Sequence, residues 1–200
     1  VIIRLAKLAG CLLLTAALLG GCSGGDEQFH AKSIERLMPP LAFELTDETG
    51  KRVTADAYRG KTAMLFFGFT HCPHFCPMTL AKLTGVLKKL PDDIRRDVRV
   101  LFVSVDPARD TPRRLAAYTD NFAPEVIGLT GTEAELRALA KRYRTTFSYG
   151  PADAEGNYNV SHGLAIYVFD RQGKARLMIL KEQTIGQIAD DLGKLAASTE

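Results

Sequence analysis

Two apolar runs dominate the pattern of this chain, Ala63 to Phe69 and Val98 to Val105. Both are rich in branched and aromatic residues and end at turn formers or polar residues, which predicts strands buried on two faces. Between them the apolar positions from Met78 to Leu90 recur at helical spacing, and Pro91 stops that helix. Thr111-Pro112 opens another helix to about Asn121, with threonine as N-cap and proline in the first turn. Val126 to Leu129 is a short strand. Thr132 and Glu135 then form a capping box for a helix to about Tyr143. Leu164 to Phe169 and Arg176 to Leu180, joined across Asp170-Arg171-Gln172-Gly173, predict a hairpin, and Thr184 begins a closing helix to about Ala197. Upstream, Leu41 to Leu45 and Arg52 to Thr54 flank Asp47-Glu48-Thr49-Gly50 as a further hairpin. Residues 145–160 carry no clear period and read as loop.

The resulting order is hairpin, β, α, β, α, β, α, hairpin, α. A βαβ core followed by an antiparallel hairpin and a last helix is an α/β arrangement of the thioredoxin-like kind, here with an added N-terminal β-hairpin. Its functional site is expected at the C-terminal end of a central strand, where open α/β sheets place theirs.

The first residues follow a different rule. Arg4 and Lys7 precede Leu8 to Leu19, an apolar stretch too short for a bilayer span, which takes roughly 20 residues. The stretch ends in Leu19-Gly20-Gly21-Cys22, which resembles the lipobox of bacterial lipoproteins, so Cys22 is the expected lipidation site. The expected division is a signal peptide over 1–21, a lipidated N-terminus and flexible tether over 22–38, and the folded domain over 39–200. A periplasmic, lipid-anchored protein follows from that reading. Hydrophobic residues make up 46% of the chain, enough for one domain with a full core. Losing Arg4 and Lys7 lowers the net charge of +3 by two, and no basic run points to nucleic acid.

The cysteines then narrow the chemistry. Of the four, Cys11 leaves with the signal and Cys22 is acylated, so Cys72 and Cys76 remain as thiols in an oxidising compartment. A disulfide closing so short a loop constrains the unfolded chain little, so the pair is kept for its chemistry. It lies at a strand-to-helix junction. Pro73 and Pro77 each restrict the cysteine before them, and Pro77 suits a first helical position, which makes Cys76 the expected N-cap with a favoured thiolate.

Two such sulfurs are either a redox pair or two soft metal ligands. The gap of three residues and the sequence Asn159-Val160-Ser161-His162-Gly163 depart from thioredoxin-type oxidoreductases, which have a gap of two and a proline before the hairpin strand. His162 falls where this fold brings a loop against the cysteine loop. Two thiolates and an imidazole suit Cu(I), whose softness selects sulfur. Zinc, with His71 or His74 recruited as a fourth ligand, fits less well. Met78 reads as a core residue and His30 as an inert part of the tether. Asp106 is either a turn former before Pro107 or a group that orients the site, and Arg109 and Asp110 are structural or partner-facing.

Three motifs carry a resemblance to a known family. They are Gly68-Phe69-Thr70-His71-Cys72-Pro73 with Cys76-Pro77 and Leu80, Phe102 to Pro107 with Arg109-Asp110-Thr111-Pro112, and His162 before Ala165-Ile166-Tyr167. Together they resemble the Sco/SenC family of copper-handling proteins, over roughly residues 39 to 196. The resemblance implies a thioredoxin fold holding one copper through Cys72, Cys76 and His162. It also implies a role in assembling the copper A centre of cytochrome c oxidase, by delivering copper, by reducing the target's cysteines, or both. Family members commonly carry Asp between the cysteines, where this chain has His74, and many are anchored by a transmembrane helix. The partner expected is therefore the copper A subunit of the oxidase or another copper protein, met at a membrane. The alternatives are a metal-independent thiol-disulfide reductase or peroxide-reducing thiol protein, and a copper sensor or redox-signalling protein built on the same site.

Overall fold

The computed structural model describes residues 29–198. Among them the strands are β1 (Lys32–Ser33), β2 (Glu44–Asp47), β3 (Arg52–Thr54), β4 (Thr62–Gly68), β5 (Val98–Ser104), β6 (Val126–Thr130), β7 (Phe147–Tyr149), β8 (Val160–His162), β9 (Ile166–Phe169) and β10 (Ala175–Ile179). The helices are α1 (Phe75–Lys89), α2 (Asp92–Arg95), α3 (Pro112–Thr119), α4 (Glu133–Arg142) and α5 (Ile185–Ala197).

Eight strands form one sheet in the order β1-β10-β9-β4-β5-β6-β2-β3, and β7 and β8 pair separately. β4, β5 and β6 run parallel, and the flanking pairs are antiparallel. Every residue of β4 is buried, as its unbroken apolar run requires. Because side chains alternate across a strand, Phe66 and Phe67 serve opposite layers. Phe66 meets Phe102, and Phe102 meets Tyr118, on the layer that carries α1 and α3. Phe67 meets Tyr167 on the other layer, where Tyr143 at the end of α4 packs on Tyr167 and Phe169. The buried Tyr143 hydroxyl is satisfied there, donating to Pro40 O and accepting from Ala42 N–H at 3.1 Å each. This is the expected α/β, thioredoxin-like arrangement, with hairpin β2–β3 added beside β6.

Three details differ from the sequence reading. The segment read as a flexible tether up to residue 38 is partly structured: β1 pairs with β10, and Ala31 and Ile34 are buried. Asp191, itself buried, fixes it by accepting the N–H groups of His30 and Ala31 at 2.8 Å each. His30 is thus engaged and not inert, with its ring 3.1 Å from Asp190. The loop read over 145–160 contains β7, and β8 begins at its end. They pair across a long connection that turns at Asp153 to Gly156, where Gly156 N–H donates to Asp153 O at 3.0 Å. Cys22 and the expected signal peptide lie outside the described residues.

Candidate metal centre

The centre forms where β4 ends. Gly68 is its last residue, and the chain then crosses Phe69 to His74 before α1 begins at Phe75. A Cβ at Gly68 would stand 2.5 Å from the Phe102 ring and 2.9 Å from Cys76 Sγ, so the glycine leaves the space that the sulfur fills.

The expected N-cap at Cys76 is corrected. His74 caps α1, and Cys76 lies inside the first turn. The first intrahelical bond runs from Met78 N–H to His74 O, at 3.2 Å. Pro77 is tolerated because a first-turn residue has no intrahelical use for its N–H. The Cys76 N–H points instead at Cys72 Sγ, 3.4 Å away. The sulfur facing the helix N-terminus is therefore that of Cys72. Cys76 is fully buried, and that burial pushes its thiol well above its ordinary value, with only a hydrogen bond from the Phe69 backbone N–H opposing. The favoured thiolate expected at Cys76 is corrected with it.

His162 arrives from β8 and brings its Nε2 to 3.6 Å from Cys76 Sγ. Its Nδ1 lies 2.9 Å from Gly163 O. A carbonyl only accepts, so Nδ1 carries the proton and Nε2 presents its lone pair to the sulfurs. Burial holds the imidazole below its ordinary pKa, against the bonds to Gly163 and Phe67, and so keeps it neutral. Phe66 and Phe69 set their rings edge-on to it at 6.2 and 5.7 Å. Donor atoms of Cys72, Cys76 and His162 all lie within 4.8 Å of one another. Metal–donor bonds of about 2.0–2.3 Å place ligands of one ion roughly 3.5–4.5 Å apart, so small shifts would close this set on a soft cation. A cavity of about 390 Å³ opens over it, lined among others by Phe69, His71, Cys72, Tyr158 and His162.

The other candidates fall outside this set. His74 is exposed at the mouth of the cavity. Met78 is 69% exposed, so the core reading is corrected: its helix position faces outward beside Phe75, which is 61% exposed. His71 stands 3.6 Å from Asp110, whose carboxylate is fully buried and already engaged. Asp110 accepts the N–H of Thr70 at 2.8 Å, the Thr70 hydroxyl at 2.6 Å and the Ser104 hydroxyl at 2.5 Å. It therefore fixes the backbone two residues before Cys72. Asp106, also fully buried, accepts from Arg109 Nε and the Tyr158 hydroxyl, at 2.6 Å each. The sequence offered no sign of Tyr158, because its importance lies in a partner distant along the chain, and Thr70 and Ser104 were visible only as parts of motifs. Gly68 was visible only as part of a motif.

A family model described as SCO1/SenC matches residues 35–197. "Protein SCO1 homolog, mitochondrial" of Homo sapiens is 38% identical over 191 residues, which is 89% of this chain and 63% of that protein. The chain thus spans less than two thirds of this curated relative's length. Among solved structures, Bradyrhizobium japonicum ScoI with copper bound superposes with a TM-score of 0.71 at 35% identity, covering 78% of this chain and 98% of that one. BsSco, described as having a disulfide switch and as a member of the Sco family of cytochrome c oxidase assembly proteins, gives a TM-score of 0.61 at 26% identity, covering 81% of this chain and 98% of that one.

Proposed function

From the premise that the chain belongs to the SCO1/SenC family, we propose that it binds copper as cargo through Cys72, Cys76 and His162 and serves the assembly of the copper A site of cytochrome c oxidase. The carrying observation is the convergence of two sulfurs and one neutral imidazole within 4.8 Å. The copper-bound ScoI of B. japonicum supports the choice of ion. Within the site the two sulfurs supply soft donors and charge, and Nε2 of His162 closes the side that they leave open. Cys72 lies at the cavity floor, at 7% exposure, while Cys76 has none, so exchange with a partner proceeds from the Cys72 side.

A second reading has its own support. The cysteines are free thiols whose sulfurs lie within 4.8 Å of one another, and BsSco carries a disulfide switch. In that role the dithiol gives two electrons and two protons to a partner's disulfide and becomes a disulfide itself. The location proposed is periplasmic, with a lipid on Cys22. Among the described residues no helix is long and apolar enough to cross a membrane.

The deciding experiment is anaerobic Cu(I) loading of the protein and of His162→Ala. Copper binding predicts one equivalent in the wild type and an affinity reduced by more than about 10–100-fold in the variant, the range typical of losing an outer-shell partner alone. Reduction of a model disulfide peptide should change much less. A variant that binds Cu(I) like the wild type but loses thiol exchange puts the reductase reading in its place. Mass spectrometry of the same membrane-extracted protein tests the lipid, which should be missing in Cys22→Ala.

A further inference from the structure

The two halves of the centre are carried by different elements, and the histidine half is the less firmly built in. β8 pairs with β7 alone, with His162 opposite Phe147, and neither strand joins the eight-stranded sheet. The main ladder therefore does not fix where the imidazole stands. Side chains do that work. Tyr149 donates its hydroxyl to Val105 O at 2.7 Å, and Arg137 lies over the Phe147 ring at 4.6 Å. The densest attachment is at Tyr158, four residues before His162. Its hydroxyl donates to Asp106 at 2.6 Å, Arg109 Nη1 donates to its carbonyl at 3.1 Å, and the Arg109 guanidinium stacks 3.7 Å over its ring. Arg109 is held in turn by the other oxygen of Asp106.

Apart from Arg137, which comes from α4, these anchors converge on the short segment after β5. Asp110 in that segment ties down the cysteine loop through Thr70. Asp106, four residues earlier, ties down the histidine hairpin through Tyr158. Both carboxylates are fully buried, where hydrogen-bond geometry is enforced because an unpaired charge is costly. One rigid bracket therefore sets the separation between the sulfurs and Nε2.

We propose that Tyr158 is a positioning residue for the metal centre: its bond to Asp106 holds the β7–β8 hairpin so that His162 meets the two cysteines. The proposal rests on the copper reading above. It assigns the aromatic latch to His162 and not to general stability, because the latch spans the one connection that the sheet does not make.

The test is a double-mutant cycle on the full chain, reading Cu(I) affinity by competition with a chromophoric chelator under anaerobic conditions. Tyr158→Phe removes only the hydroxyl and should weaken Cu(I) binding about 10-fold, at the lower end of the range for groups that orient a ligand. In the His162→Ala background the same change should do nothing further, because the group it acts through is gone. Tyr143→Phe, which also loses a buried hydroxyl but one bonded to Pro40 and Ala42 and to no part of this bracket, should leave affinity unchanged. Wild-type affinity in Tyr158→Phe overturns the latch while leaving the copper reading intact. An equal loss in both backgrounds also overturns it, since Tyr158 would then act without His162. Wild-type affinity in His162→Ala refutes the copper reading itself. Circular dichroism of each variant allows affinity to be referred to folded protein.

Discussion

Gly68→Ala probes fold and centre with one methyl group. The new Cβ would lie 2.5 Å from Phe102 Cε2 and 2.9 Å from Cys76 Sγ, both closer than real Cβ contacts allow. Two effects compete. Alanine restricts the unfolded chain more than glycine, which favours folding by about 0.4–1 kcal/mol where the backbone accepts it. Overpacking a well-filled core costs about 1–3 kcal/mol. Phe102 is fully buried between Phe66 and Tyr118 and has little room to retreat, so the cost wins and a net loss of about 1–2 kcal/mol is expected. The displaced Cys76 sulfur also moves relative to His162, and Cu(I) affinity should fall with it. The control is Gly128→Ala on β6, two strands from β4, whose added Cβ would meet Leu115 Cβ and Glu48 Oε2 at 2.9 Å and neither sulfur. Urea unfolding of both apo variants and Cu(I) competition on both separate the two consequences. Stability should fall in both and affinity in Gly68→Ala alone. If Gly68→Ala is as stable as the wild type and binds Cu(I) equally well, the packing argument at the centre is wrong.

Two further outcomes follow from other sites. Arg144 adopts φ +52 just after α4, a left-handed position that costs an L residue about 1–2 kcal/mol, partly recovered by glycine. Arg144→Gly should therefore raise the calorimetric midpoint by roughly 1–3 °C, net of the extra unfolded-state entropy, and an unchanged or lower midpoint would count against that strain. Asp97 bonds Lys61 at 2.7 Å and Arg171 at 3.0 Å; the Lys61 bond, helped by both charges and resisted by burial, lowers its pKa from 3.8. A depressed carboxylate stabilises above its unfolded value and loses that contribution as pH falls through its folded one. The stability gap between wild type and Asp97→Asn in urea melts should thus be full at pH 7 and shrink below about pH 3.8, and a gap independent of pH would refute the linkage.

What could be read in advance followed the strength of local signals. β4 and β5 are dominated by apolar residues, with only Arg99 interrupting the second, and Thr132 with Glu135 and Thr184 with Gln187 make real capping boxes, so the central elements were legible. The cysteine spacing was visible on its face, and His162 was reached because chain order puts the loop before β9 beside the cysteine loop. β1 was missed because Lys32 and Ser33 are polar, and only their neighbours Ala31 and Ile34 are buried. Met78 misled because helical spacing says which residues share a face but not which face is covered. The start of α1 was misplaced because a proline suits any position of a first turn, not the first alone. Tyr158 was illegible for a deeper reason: a phenol acquires its role only when a distant carboxylate is folded against it.

The direction of β1 has a consequence for reach. Lys32 stands opposite Met178, Ile179 opposite Ile166, and Ile166 opposite Phe66, two residues from the end of β4. The chain thus enters the sheet at the end that carries the sulfurs, three strand spacings to the side, or about 14 Å. With the lipid proposed at Cys22, the eight residues to His30 span at most about 28 Å, however they are arranged. A domain tied to a bilayer by so short a leash at that end keeps its mouth close to the membrane plane. Under that proposal its encounters would become a search in two dimensions, and the partners within range would be those whose own copper ligands stand just above the lipid surface.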